Sequence, residues 1–99
     1  MGWREVKNGG PLPPARGYTQ ITDLSSAVNL TAPEGTSFVL IQAEQEDVRY
    51  RADGTNPTAS SGMLITSGNE ILYPATEETI NLLAFIQTVS GAKLNVTFY

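Results

Sequence analysis

In a chain of 99 residues there is no cysteine and no histidine. Without cysteine the chain forms neither disulfides nor thiolate metal sites. Without histidine it lacks the side chain most often used as a general base near neutral pH, and also the commonest metal ligand. The serines have no histidine to activate them for nucleophilic catalysis. We therefore predict that the protein is not an enzyme and has no catalytic residues, no cofactor and no metal site.

Two further features are missing, an excess of basic charge and a long apolar run. Ten acidic and six basic side chains give a net charge of −4, which disfavours contact with a phosphate backbone. No window approaches the ~18 apolar residues that cross a bilayer, and the first ten residues do not contain the apolar core of a signal peptide. We therefore expect no nucleic acid and no membrane as partners, and synthesis in the cytoplasm.

Residues 1–17 differ from the rest of the chain and are predicted to be an extended N-terminal arm. Closely spaced glycines and prolines in its second half exclude a helix or a central strand. Trp3, Val6 and Leu12 are apolar and have no local element against which to become buried. Two interpretations stay open. Trp3 folds back onto its own domain, or the arm uses these three residues to bind a neighbouring subunit, because tryptophan is a frequent interface anchor.

Residues 18–99 have the pattern of one β domain. Short apolar or alternating segments are separated by turn-forming residues at intervals of roughly 8 to 12 residues, which is typical of a β-sandwich. We predict an all-β fold: a single antiparallel, jelly-roll-like β-sandwich of about seven or eight strands. The predicted strands cover residues 18–23, 27–31, 38–43, 48–51, 63–65, 71–73, 82–89 and 93–99.

Consecutive strands are predicted to pair as hairpins because their connections contain turn residues. The strand at 38–43 is apolar enough to be buried on both faces. Over residues 76–83 the pattern favours a turn leading into a strand, with one helical turn capped by Thr76 as the alternative. The predicted pairs are 18–23 with 27–31, 38–43 with 48–51, 63–65 with 71–73, and 82–89 with 93–99.

The segment Val48-Arg49-Tyr50-Arg51 places its two arginines on one side of a strand and its two apolar residues on the other. The arginines either pair with acidic groups of the same chain or present two guanidinium groups to acidic groups of another subunit. The following loop contains Asp53 and Asn56. It is predicted to lie on the surface, where it either contributes to binding or is a passive connection.

The segments VRYRADGTNPTASSGMLI, residues 48–65, and SGAKLNVTFY, residues 90–99, resemble segments of small virion proteins of tailed bacteriophages. That group has a hairpin of the form xVRYRxDGTxPTxxxGxxI and a closing strand of the form GAxLNVxYY. The resemblance begins near Phe38 and does not include the arm. This chain has Phe98 where tyrosine is common, and Ala52 and Asn56 at variable positions.

The resemblance implies a capsid decoration or cement protein that binds the major capsid protein, stabilises the shell and forms a dimer or trimer. Its location would be the capsid surface of the virion. The alternative function is a tail- or fibre-associated module that binds host surface carbohydrate. The candidate partner-binding residues are Trp3, Val6 and Leu12 in the arm, and Arg49, Arg51, Asp53 and Asn56 in the domain.

Overall fold

The computed structural model describes residues 13–99. The predicted anchors Trp3, Val6 and Leu12 therefore lie outside the described residues. Regular structure begins at Gly17, next to the predicted start of the β domain. The elements are β1 (Gly17–Ile21), β2 (Val28–Asn29), β3 (Phe38–Glu44), β4 (Val48–Arg51), β5 (Met63–Ile65), β6 (Glu70–Pro74), α1 (Glu77–Ile80), β7 (Ala84–Gln87) and β8 (Lys93–Phe98).

The strands of residues 13–99 form two four-stranded sheets, with the orders β1-β8-β3-β6 and β2-β7-β4-β5. The first strand pairs with the last, the second with the seventh, the third with the sixth and the fourth with the fifth, always antiparallel. β3 also pairs with β8, and β4 with β7. This is the strand order of an eight-stranded jelly roll. The predicted all-β, jelly-roll-like sandwich is confirmed.

The predicted hairpins are wrong, because consecutive strands cross from one sheet to the other. β3 belongs to the first sheet and β4 to the second, and β1 and β2, β5 and β6, and β7 and β8 are divided in the same way. Within residues 13–99, β4 and β5 are the only consecutive strands that pair with each other. Alternation and turn residues determine where a strand ends. The short connection after a strand either forms a hairpin within the same sheet or crosses to the other sheet. Both kinds of connection have the same local sequence pattern.

The segment before β7 forms a short helix, so the turn preferred from the sequence is wrong and the alternative of one helical turn is correct. Thr76 occupies the N-cap position of α1, although its side chain makes no capping hydrogen bond. Ile80 and Leu83, three positions apart, are both fully buried. The backbone N–H of Leu83 donates to the carbonyl oxygen of Ile80 at 3.0 Å, so a turn follows the helix and β7 begins at Ala84.

The core lies between the two sheets and takes alternate residues from the central strands. On β8, Leu94 and Val96 are fully buried and Phe98 nearly so, as the alternation predicts. On β3, burial also alternates. The prediction that this strand is buried on both faces is therefore wrong, because its outer face lies on the surface of the first sheet.

Asp47 connects three of the loops that cross between the sheets. Its carboxylate Oδ1 accepts a hydrogen bond from the backbone N–H of Ser67 at 2.7 Å, in the loop between β5 and β6. Its backbone carbonyl accepts from both the backbone N–H and the hydroxyl of Thr88, each at 3.1 Å, just after β7. The connections that resemble hairpin turns in the sequence thus meet at one end of the sandwich.

Candidate functional site

The outer surface of the second sheet carries the arginines singled out from the sequence. Leu64, Arg49 and Ile86 lie side by side across β5, β4 and β7, and Arg51 follows Arg49 on the same side of β4. We call these four residues the arginine face. On the opposite side of β4, Tyr50 points to the core, with its ring centroid 5.9 Å from that of Phe85.

Arg49 is held in place by backbone carbonyl groups. Its Nη1 donates to the carbonyl oxygen of Gly62 at 2.9 Å, and its Nε donates to that of Ala59 at 3.3 Å. Gly62 has a φ of +135°, and a Cβ at this position would lie 3.0 Å from the carbonyl oxygen of Tyr50. Glycine is therefore required where the loop approaches β4. The arginine fixes the end of the loop and is itself fixed in orientation.

Arg51 pairs with Asp53, two positions along the chain. Its Nε donates to Oδ1 of Asp53 at 3.1 Å, and its Nη2 reaches the second carboxylate oxygen. The hydrogen bond from Arg51 lowers the pKa of Asp53, and the backbone N–H of Thr55 lowers it further. The same pair raises the pKa of Arg51. Of the two interpretations left open for this arginine, pairing within the chain is the one observed.

The loop between β4 and β5 is ordered by residues of the segment VRYRADGTNPTASSGMLI, residues 48–65. Gly54 has a φ of +83° at the turn after Asp53. Pro57 is buried, and Thr58 and Ser61 form an isolated antiparallel bridge. Asn56 is exposed. Most of this segment is thus explained by the fold of the loop, and Asn56 is one of its exposed residues.

Exposed apolar side chains lie beside these polar groups. Leu64 is 47% exposed on the arginine face. Its neighbour Met63 is 62% exposed, but it lies opposite Tyr50 and therefore on the other side of the sheet. Interfaces between proteins are enriched in arginine and methionine and depleted in lysine and acidic residues at their centre. The arginine face combines two arginines with Leu64 and Ile86 and contains no lysine or acidic residue, which agrees with this composition. The sequence alternation predicted only its arginines.

A polar cluster on the outer surface of the first sheet was not predicted. Asn95 on β8 is at its centre: its Oδ1 accepts from the Tyr18 hydroxyl and from Nε2 of Gln20, each at 2.9 Å. Its Nδ2 donates to Oε1 of Glu44 at 2.9 Å and to Oε1 of Gln42 at 3.1 Å. These residues come from three strands that are distant in sequence. Alternation shows that each points outward, but only the strand order shows that they meet.

A cleft of about 390 Å³ opens at the side of the sandwich, lined by residues of β1, of the segment from Asn29 to Pro33, and by Phe98. It exists because β1 has five residues and β2 only two, so the inner side of β1 is incompletely covered. Thr19 illustrates this: it lies opposite Val96, which is fully buried, yet it is itself exposed. The turn and strand pattern contains no signal for such a cleft.

Glu44, Asp47 and Asp53 are close to one another in the sequence, but they take part in different contacts in the structure. Glu44 belongs to the polar cluster, Asp47 contacts the crossing loops, and Asp53 pairs with Arg51. Among residues 13–99, no three acidic side chains come together in a way that could hold a metal ion. In the same part of the chain, no helix has the length and apolar character needed to span a bilayer.

Comparison with models of protein families, with curated proteins and with solved structures found no match to this chain.

Proposed function

We propose that the protein is a structural virion protein of a tailed bacteriophage: a capsid decoration or cement protein that binds the major capsid protein and stabilises the shell. The proposal is supported by the sequence resemblance of residues 48–65 and 90–99 to small phage virion proteins. It is also supported by the jelly-roll architecture, which occurs in viral capsid domains. A role in binding, without catalysis or cofactor, agrees with a sequence that contains neither histidine nor cysteine.

The observation that carries the proposal is the arginine face, in which the exposed Leu64 lies beside Arg49. Arg49 is already oriented by the carbonyl groups of Ala59 and Gly62, so a partner would lose little side-chain entropy on contacting it. Leu64 supplies apolar area on the same face that is exposed in the described residues. We propose that this surface contacts the major capsid protein, with Asp53 and Asn56 of the adjacent loop at its rim.

The N-terminal arm is proposed to add a second contact. Trp3, Val6 and Leu12 would bind a neighbouring subunit on the particle, either of the capsid or of a dimer or trimer of this protein. A second contact on the same particle raises the overall affinity through effective concentration, without requiring a larger core. On this proposal the protein is synthesised in the host cytoplasm and is found on the capsid surface of the virion.

The experiment is co-sedimentation of the purified protein with undecorated capsids of the encoding phage. We expect saturable, stoichiometric binding and greater resistance of the capsids to heat. Leu64→Asp should lower the affinity tenfold or more, a loss of about 1.4 kcal/mol. The matched control is Val89→Asp, because Val89 is 54% exposed and lies outside the arginine face. Equal binding by both variants would remove the arginine face from the proposal, and no binding by the unaltered protein would refute the function.

The arm is tested in the same assay. A chain without residues 1–12 keeps every strand of the described fold, so its melting should stay cooperative. We expect weaker capsid binding because one of the two contacts is lost. Unchanged affinity would remove the arm from the proposed interface.

A second candidate function, a tail- or fibre-associated module that binds host surface carbohydrate, is favoured by the polar cluster of the first sheet. Amide and carboxylate groups beside a tyrosine that is 63% exposed, Tyr18, offer hydrogen bonds and a ring face to sugar hydroxyls and C–H groups. Binding to a glycan array that is lost in Asn95→Ala, and also in Tyr18→Ala, would support this function. An absence of binding to any glycan would reject it.

A further inference from the structure

The strand β1 forms one edge of the first sheet. Within residues 13–99 it pairs with β8 on one side and with no strand on the other. Its sequence, Gly-Tyr-Thr-Gln-Ile, contains no charged residue and no proline. Soluble proteins commonly use charged side chains, proline or a very short strand to keep an exposed edge from pairing with another chain. The five residues of β1 have none of these protections.

The three other edge strands of the described domain are protected. β2 has two residues and β5 has three, and such short strands offer few backbone groups to a partner. β6 is as long as β1, but it begins with the charged Glu70 and ends at Pro74, which has no N–H to donate. An association through strand edges would therefore use β1 and would be complete once that edge is paired.

The geometry points to a second copy of the chain as the strand that pairs with β1. In an antiparallel pairing with two-fold symmetry, Thr19 lies opposite Thr19 of the second copy, and Gly17 lies opposite Ile21 of that copy. The first sheets of the two copies then form one continuous sheet of eight strands, joined through β1. This inference goes beyond the proposed function, because the dimer forms without the arginine face and without a capsid.

The pairing places an apolar side chain over the cleft at the side of the sandwich. Gly17 lies between Phe98 of β8 and the free edge, and it has no side chain to separate the two. Ile21 of the second copy therefore extends across Gly17 toward Phe98 and Pro33, which line the cleft and lie 3.8 and 3.6 Å from the place of a Cβ at Gly17. Side-chain contact across an edge glycine is a known way to stabilise such a pairing.

The charges on either side of β1 are complementary in this arrangement. Arg16 precedes the strand and Asp23 follows it, and both are exposed. Because the two copies run antiparallel, Arg16 of each copy lies opposite Thr22 of the other, next to Asp23 of that other copy. Opposite charges favour the contact and fix its direction, since a parallel pairing would bring the two Arg16 side chains together.

Sedimentation velocity of the full chain over a range of concentrations tests the inference. The contact uses five residues of each copy, fewer than the roughly 20–30 of a standard interface, so we expect a reversible dimer with a dissociation constant on the order of tens of micromolar. Species larger than a dimer should not form. A chain that stays monomeric at about 1 mM, where such a dimer would predominate, would overturn the inference.

A lysine at the two-fold axis should prevent the pairing. Thr19→Lys replaces an exposed side chain and brings two ammonium groups together in the dimer, so it should weaken dimerisation about tenfold or more. The matched control is Thr79→Lys, which adds the same charge at an exposed position of α1 and should dimerise as the unaltered protein does. Equal dimerisation by the two variants would show that the copies associate through another surface and would overturn the inference.

The direction of the pairing is tested by exchanging charges. In Arg16→Glu, and also in Asp23→Lys, like charges meet at both ends of the homodimer, so each variant should dimerise less than the unaltered protein. An equimolar mixture of the two should recover association, because their heterodimer has opposite charges at both ends. A mixture that associates no better than either variant would contradict the antiparallel pairing. Melting curves identify any variant that does not fold, and the mixture decides the question if Thr19→Lys is one of them.

Discussion

The guanidinium group of Arg49 donates from Nη1 to the backbone carbonyl oxygen of Gly62 at 2.9 Å. This contact joins the middle of β4 to the residue that precedes β5, across the loop that connects them. Both residues belong to the segment VRYRADGTNPTASSGMLI, residues 48–65. The arginine thus has a structural role in the isolated domain, and its fixed orientation makes it suited to a role in binding.

Replacing Gly62 by alanine should therefore destabilise the domain strongly. Gly62 has a φ of +135°, and a Cβ there would lie only 3.0 Å from the Tyr50 carbonyl oxygen and 3.1 Å from Pro57. The substitution should therefore lower the free energy of unfolding by about 3 kcal/mol. Gly54→Ala is the matched control, because Gly54 has a φ of +83° and nothing within 4 Å of a Cβ. It should cost about 1 kcal/mol. Denaturant unfolding of both variants measures the difference, and equal losses would show that the close approach at Gly62 is not restrictive.

The Asp53 carboxyl should titrate below its ordinary pKa of 3.8, chiefly because of the hydrogen bond from Arg51. In Arg51→Gln the midpoint should rise toward that value, as followed by NMR. Asp23 serves as an internal control, because its pKa is lowered by Ser25 and should not respond. If the Asp53 midpoint did not move, the pairing with Arg51 would be refuted.

The same pair has a consequence for stability against pH. A carboxyl group whose pKa is lowered by folding stabilises the folded state above its unfolded pKa. That contribution is lost as the pH falls through the lower value of the folded state. The stability advantage of the unaltered protein over Arg51→Gln should therefore be present above pH 3.8 and vanish in more acidic solution. A stability difference between the unaltered protein and Arg51→Gln that grows as the pH falls would contradict this prediction.

Asp47→Ala should loosen the end of the sandwich where three crossing loops meet. The substitution leaves the backbone N–H of Ser67 without the carboxylate that accepts from it at 2.7 Å. A hydrogen bond to a charged acceptor contributes about 1.5–3 kcal/mol to stability. Because Asp47 is partly exposed, we expect the free energy of unfolding to fall by an amount near the lower end of this range. Glu46→Ala is the control at an exposed neighbouring acid and should change stability by less than about 0.5 kcal/mol. Similar unfolding midpoints for the two variants would argue against the role of Asp47.

Removing residues 93–99 should abolish the folded state. These residues contain β8, which lies between β1 and β3 in the first sheet, and its loss would leave both strands without their shared neighbour. Circular dichroism and thermal melting of the truncated chain provide the measurement. A chain without residues 1–12 is the control and should melt cooperatively. Cooperative melting without β8 would contradict the strand order.

The strands were predictable because alternation and turn residues are local. On β8, Leu94, Val96 and Phe98 alternate with polar residues in the sequence, and all three are buried. The pairing of strands was not predictable in this way. After Glu44, the loop to Val48 has the composition of a hairpin turn, yet β3 pairs with β6 and β8 and β4 pairs with β5 and β7. Whether the connection forms a hairpin or crosses between the sheets depends on pairing with strands that are distant in sequence.

In the candidate site, too, some features were predictable from the local sequence and others required the strand order. The outward direction of Arg49 and Arg51 followed from alternation along β4. Their neighbours Leu64 and Ile86 come from β5 and β7 and required the strand order. The Asn95 cluster and the cleft beside β1 depend on three strands or on unequal strand lengths, and no local pattern in the sequence encodes either of them.

We propose that the domain binds a phage capsid through its arginine face. Electron cryomicroscopy of undecorated capsids of the encoding phage, incubated with the purified protein, tests it most directly. We predict additional density at regular positions on the outer surface of the shell, with Arg49 and Leu64 facing the major capsid protein. Capsids without added density, or a bound domain whose arginine face points away from the shell, would contradict the claim.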